Sequence, residues 1–179
     1  MLQTMALLVI AAIALLLIYA ATRPDQFRVS RTSVIKAPAP KVYALINDLK
    51  LFNTWNPWEK KDPSVKGSYA GAASGVGAAY AWNSRKVGAG RMEITDSVVP
   101  SRVAMRLDFL KPFKACNTAE FTLQAEGENT TIVTWSMAGP SPYITKLMGV
   151  IFNMDRMIGK DFEAGLADLK TLTERRHGG

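Results

Sequence analysis

Cysteine and histidine are nearly missing from this chain of 179 residues, which holds one of each, Cys116 and His177. A lone cysteine cannot close an internal disulfide, so a stapled secreted scaffold is excluded. One Cys and one His cannot assemble a Cys/His zinc site. A Ser-His-Asp or Cys-His mechanism would have to draw on His177, in a stretch that reads as a disordered tail over residues 176–179. No metal, no cofactor and no catalytic set is therefore expected. Dense basic runs are missing too: Lys60-Lys61, Arg85-Lys86 and Arg175-Arg176 are the adjacent pairs. The stretch from Gly71 to Gly77 lacks the Gly-Lys-Ser/Thr ending of a phosphate loop. The excess of 22 Lys+Arg over 15 Asp+Glu thus does not read as a nucleic-acid footprint, and anionic lipid headgroups suit it better.

Charge is also absent from the first 22 residues. Met5 to Ala21 reads MALLVIAAIALLLIYAA, a run whose one polar group is the Tyr19 hydroxyl. At 1.5 Å per residue it makes about 25 Å of helix, and about 30 Å counted from Leu2, enough to cross a bilayer core. The competing reading is a cleaved signal peptide. Against it, Met1-Leu2-Gln3-Thr4 carries no Lys or Arg, and the apolar run exceeds the usual h-region of about 7–15 residues. Tyr19 also puts a bulky side chain three positions before a cut after Ala21. Residues 1–22 are therefore read as an uncleaved membrane anchor and 23–26 as a linker holding Pro24. Arg23, Arg28, Arg31 and Lys36 follow the span, with Asp25 as the lone acid. The positive-inside rule then predicts a single-pass protein of the cell (inner) membrane with its C-terminal domain in the cytoplasm. Without residues 1–21 the apolar fraction falls from 48 % to roughly 42 %, an ordinary soluble-domain value.

The remainder reads as one domain over 27–175. Phe27 to Lys36 forms a strand stopped by Pro38 and Pro40. Ala39 to Leu49 begins a short helix, with Val42, Leu45, Ile46 and Leu49 at helical spacing. A second short turn, Leu51 to Trp55, runs into a loop at Asn56-Pro57-Trp58. Strand-like runs follow at Lys66–Ala70, Ala78–Trp82, Arg91–Val98, Val103–Phe109, Asn117–Ala125 and Thr131–Met137. Their period-two patterning with short turns specifies an antiparallel meander with one buried face. After Pro140-Ser141-Pro142 an apolar stripe recurs every three or four residues to Arg175, about 50 Å of helix if unbroken. A break near Asn153-Met154-Asp155 is expected, with Asp155 as the cap of a second segment. The fold class is α+β: a curved antiparallel sheet of six or seven strands wrapped around a long C-terminal helix.

In the order of its motifs the chain resembles the START-like superfamily called SRPBCC, in its polyketide cyclase/dehydrase and lipid-transport branch. The matching stretches are Ala37-Pro38-Ala39-Pro40-Lys41-Val42-Tyr43-Ala44, Trp55-Asn56-Pro57-Trp58, Gly75-Val76-Gly77-Ala78-Ala79-Tyr80-Ala81-Trp82, Gly90-Arg91-Met92-Glu93-Ile94, Thr131-Ile132-Val133-Thr134-Trp135 and Asp161 to Lys170. They cover about residues 27 to 175. The resemblance implies a helix-grip fold whose cavity, between sheet and long helix, binds lipids, sterols, polyketides or other apolar molecules. It carries no universal catalytic set, and the N-terminal anchor lies outside its pattern.

The inward strand parity then supplies the candidate cavity residues Tyr80, Trp82, Met92, Ile94, Met105, Leu107, Phe109, Phe121, Trp135 and Met137, and the facing helix adds Met148, Phe152, Met157 and Phe162. Aromatic and Met side chains give adaptable apolar contact suited to a hydrophobic ligand, and equally suit a packed core. Trp55 and Trp58 are candidates for the cavity mouth or the headgroup level, or else pin a loop to the sheet edge. Asp96 falls on the inward parity of its strand, or marks a strand end meeting solvent. Arg91, Arg102 and Arg106 read as solvated sheet surface.

The expected function is membrane-tethered binding or transport of a hydrophobic, lipid-like molecule, with protein partners unspecified. A cyclase or dehydratase acting on a polyketide-like or aromatic substrate is the enzyme alternative, and a ligand-free interaction module the third. The nearly all-apolar inward parity favours binding. The topology is testable with alkaline phosphatase, which needs an oxidising compartment for its disulfides. Fused to the C-terminus it should be inactive in cells, and an active fusion would overturn the cytoplasmic placement.

Overall fold

The computed structural model describes residues 1–174. Arg175-Arg176, His177 and the tail expected over 176–179 lie outside the described residues. The apolar run forms helix α1 (Leu2–Ala21), long and apolar enough to cross a membrane. Strand β1 (Gln26–Ile35) follows, then α2 (Ala39–Asn47), α3 (Leu49–Phe52) and α4 (Pro57–Lys61). Six further strands run β2 (Lys66–Gly71), β3 (Ala78–Ser84), β4 (Gly88–Val98), β5 (Arg102–Lys111), β6 (Ala115–Ala125) and β7 (Thr131–Pro140). Helices α5 (Tyr143–Ile151) and α6 (Met154–Glu174) end the described chain. The seven strands make one antiparallel sheet in the order β1-β7-β6-β5-β4-β3-β2. Sequential neighbours pair because their turns are short, and β1 closes the order by pairing with β7.

Two local readings change, and one pair of alternatives is decided. The Trp55-Asn56-Pro57-Trp58 stretch is the start of α4 rather than a free loop: Asn56 accepts from the Trp58 N–H, and Pro57 occupies the first turn, where its missing N–H costs nothing. The C-terminal helix does break as expected, but the cap is Asn153, whose Oδ1 accepts from the Arg156 N–H at 2.9 Å. The Asp155 carboxylate goes elsewhere, to Arg31 on β1. Finally, the β4–β5 register shifts between Ile94 and Asp96. That extra residue turns Asp96 to the outer face, where it pairs with Arg102, and turns Ser97 towards Tyr43 and Asn47. Arg91 and Arg106 likewise pair with Glu93 and Asp108 on that outer face.

The space between sheet and α6 is divided along the strands. In one half, Ile94, Val103, Leu123 and Val133 from the sheet meet Leu166 and Leu169 of α6 and Val42 and Ile46 of α2, all buried. Burying each such side chain stabilises the fold by about 1.5–3 kcal/mol before entropy is counted. The boundary of this half is aromatic. Trp135 of β7 stacks on Phe162 of α6 with centroids 4.2 Å apart and planes 7° apart, and Phe52, Trp55 and Phe121 meet it at their edges and faces. The other half, toward the ends where β1 begins and β7 ends, is open.

Helix α6 approaches the sheet this closely because residue 165 is glycine. A Cβ there would lie 2.8 Å from the Trp135 ring and 3.0 Å from Pro57. Alanine is favoured over glycine in a helix by about 1 kcal/mol. Gly165→Ala should nevertheless destabilise the full chain in detergent by about 1–3 kcal/mol, because Trp135 is wedged and cannot yield. A denaturation midpoint equal to or above that of the unsubstituted chain would show the approach is not tight.

Candidate functional site

The open half holds a cavity of about 600 Å³. Its floor is the inward parity of β5, β6 and β7, ending where the packed half begins: Met105, Leu107 and Phe109 line it but Val103 does not. Tyr80 and Trp82 of β3 and Met92 of β4 form one wall, and Phe27 of β1 reaches in from the other edge. Phe162, Ile158, Met157 and Met154 on the first half of α6 cover it. The rim comes from two sheet turns, with Lys86 and Val87 on one and Pro112, Phe113 and Lys114 on the other, and from Pro142 and Thr145 at the start of α5.

Eleven of the fourteen expected cavity residues line this space: Tyr80, Trp82, Met92, Met105, Leu107, Phe109, Phe121, Trp135, Met137, Met157 and Phe162. Three do not. Ile94 lies one step further along β4, in the packed half, fully buried. Met148 and Phe152 are exposed, because the chain breaks between α5 and α6 and α5 turns away to pack on α1. The two tryptophans also part. Trp58 lines the cavity, edge-on to Trp135 and Phe162. Trp55 is not at a mouth: it is buried in the packed half, and its indole N–H donates to the Leu45 carbonyl at 3.0 Å.

A family model described as "Polyketide cyclase / dehydrase and lipid transport" matches residues 26–174, nearly all of the chain beyond α1. The chain belongs to this polyketide cyclase/dehydrase and lipid-transport family. No curated relative matches it. Among solved structures it is similar to protein CV1439 from Chromobacterium violaceum, at 17% identity and TM-score 0.58, covering 84% of this chain and 99% of that one. It is also similar to protein MLL2253 from Mesorhizobium loti, at 14% identity and TM-score 0.61, covering 83% and 98%. A third is the di-domain ARO/CYC BexL from the BE-7585A biosynthetic pathway, at 17% identity and TM-score 0.57, covering 88% of this chain and 53% of that one. At these identities the likeness is one of fold.

In this member of the polyketide cyclase/dehydrase and lipid-transport family the lining is not wholly apolar. The Tyr80 hydroxyl donates to Glu59 Oε1 at 2.6 Å. Burial, and then the hydrogen bond to Glu59, push the Tyr80 phenol far above its usual range, so at neutral pH it stays a protonated donor. Lys61 and Asp161 pair at 2.6 Å beside it, joining α4 to α6. At the rim, hydroxyls of Ser64 and Ser84 bond Asp62 and hold its carboxyl at about 2, which fixes the turn carrying Lys86. Deeper in, Asn117 sits on the inward parity of β6 and lines the cavity, where its amide is accessible. The buried Trp135 Nε1 has no hydrogen-bond partner among the described residues.

Sequence reasoning missed Asn117 although parity places it in line with Ala119 and Phe121, since only apolar positions were followed along that strand. It missed Glu59 because a four-residue stretch around Pro57 gives no facing to read.

The Asn117 amide faces the cavity, so replacing it changes the polarity of the lining rather than the packing of the core. The near-isosteric Asn117→Leu should therefore leave the stability of the chain within about 1 kcal/mol in urea or thermal unfolding. A variant destabilised beyond that would instead assign Asn117 a structural partner.

Proposed function

We propose that this chain holds a hydrophobic, lipid-like small molecule in the 600 Å³ cavity, tethered to a membrane by α1 with residues 27–175 as the binding domain on the cytoplasmic side. The observation that carries the reading is the cavity itself. It is large enough for a ligand of ordinary size, lies under a helix in a family named for lipid transport, and is lined mainly by aromatic and Met side chains. Those groups supply contact area without strict geometry, which suits a flexible chain or fused ring better than a polar metabolite. A tether raises the local concentration of such a domain next to a bilayer ligand source. Arg23 and Arg28 just after α1 support the cytoplasmic side.

One observation favours the enzyme reading. Tyr80 with Glu59, and Asn117, are polar groups converging on an apolar space, the pattern expected where a carbonyl-bearing substrate must be oriented. A cyclase or dehydratase acting on a polyketide-like substrate therefore stands as the second reading. In it Tyr80 is a proton donor and positioning group, because its phenol does not ionise near neutral pH.

Native mass spectrometry of the full chain released from mild detergent should show a bound lipid-like mass. Ala119→Phe, which projects a ring into the cavity from its floor, should abolish that adduct while leaving the fold intact. An unoccupied wild-type protein that also fails to bind a fluorescent fatty acid would overturn the binding reading. Loss of water from an added polyketide-like substrate, suppressed by Tyr80→Phe, would decide for the enzyme.

A further inference from the structure

Resting on the reading of α1 as a membrane span, we propose that the cavity mouth faces the bilayer directly, with α5 and the Phe113 loop lying in the interfacial layer, so that the ligand passes between leaflet and cavity without crossing water.

The sheet register places the mouth at the end where the anchor arrives. Gln26 at the start of β1 pairs with Pro140 at the end of β7. At that same end Phe109 pairs with Ala115 around the Phe113 loop, and Ser84 pairs with Gly88 around the Lys86 turn. The four residues between Ala21 and Gln26 span at most about 14 Å, so the mouth cannot lie far from the end of α1.

Helix α5 fixes the arrangement. The Tyr143 hydroxyl donates to the Leu17 carbonyl at 2.9 Å, and the Ser141 N–H donates to the Asp25 carbonyl at 2.7 Å. The start of α5 is thus level with the last turn of α1. Lys146, the one charged residue of α5, turns inward to pair with Asp25 at 2.5 Å. This leaves Ile144, Met148 and Phe152 on one outward face at spacings of four, with Ile144 63% and Phe152 57% exposed. Phe113 on the rim is 74% exposed and Met157 beside the mouth 59%. An apolar surface of this extent, continuous with a membrane helix, is covered by acyl chains at the interface. Lys86, Lys111 and Lys114 flank it and suit anionic headgroups. At the opposite end of the sheet the β6–β7 turn carries Glu126 and Glu128, which anionic headgroups repel.

The test uses the full chain with Cys116→Ser, a single new cysteine at Phe113, Phe152 or Val99, and an environment-sensitive fluorophore on it. Val99 is an equally exposed apolar residue, on the turn at the far end of the sheet. In vesicles of equal parts phosphatidylcholine and phosphatidylglycerol, brominated lipid should quench the probes at 113 and 152 severalfold and leave the probe at 99 unchanged. Equal, weak quenching at all three sites would overturn the inference. So would a blue shift at 113 and 152 without quenching, which would put a second protein copy on that face. A fourth probe at Leu8 separates the two levels of the argument. If it is quenched and 113 and 152 are not, the mouth faces water while the tether stands. If it is not quenched, the span and this inference fall together, leaving ligand binding in detergent as a separate measurement.

Discussion

The stack of Trp135 on Phe162 is the contact on which the division of this domain depends. It joins β7, the strand beside the edge strand β1, to α6 and lies where packed core gives way to open cavity. Gly165 one turn further along α6 allows the approach, with the Trp135 ring and Pro57 both close against it. Beyond that plane toward α2 the space is filled, mainly by Val, Ile and Leu side chains with Tyr43 and Trp55. Before it, the lining is mainly Met and aromatic side chains that do not fill the space between sheet and helix. A helix held this firmly at its second half can cover a cavity with its first half without collapsing into it. The empty volume is thus supported by the core behind it, in keeping with the rigidity of close-packed interiors.

The period-two strands, the α+β class and the order of elements were legible because they rest on local alternation, which survives in one dimension. What escaped depended on contacts across the sheet. Ile94 and Met92 sit on the same face of β4, and only the position of the aromatic plane assigns one to core and the other to cavity. Of the two alternatives for Asp96 the solvent-facing one holds, because one extra residue enters β4 at that point and overrides strict parity. Trp55 and Trp58 lie three apart and end in different compartments, since Asn56 and Pro57 start a helix between them. Met148 and Phe152 continue the helical stripe of the sequence, yet the stripe is shared between two helices with different partners.

Polar groups in the lining set the chemistry apart from that of a simple grease pocket. Asn117 presents its amide to the cavity, and the wholly enclosed Trp135 Nε1 has no hydrogen-bond partner among the described residues. Natural folds retain such costs where function needs them. A ligand offering a polar atom at the depth of Asn117 would pair with its amide and would be selected over a pure hydrocarbon, because a polar contact discriminates more strongly than one extra methylene. This holds whether the ligand is carried or transformed.

The cover of the cavity is held by a different kind of force from its base. Beyond the aromatic plane, α6 is fixed by buried apolar contact with the sheet and α2. Ahead of it, the anchoring groups are polar and solvent-accessible: Arg31 of β1 bonds Asp155 at 3.0 Å and Glu163 at 2.7 Å, and Lys61 bonds Asp161. Single surface ion pairs contribute about 0–1 kcal/mol each, whereas each buried Leu or Ile behind the plane contributes several times that. The first half of α6 is therefore the part of the roof that yields at least cost. It is also the part that carries Met154, Met157 and Ile158 over the mouth and connects through Asn153 to α5. Helix α5 thus meets the roof through the two residues Phe152 and Asn153 rather than through the packed core.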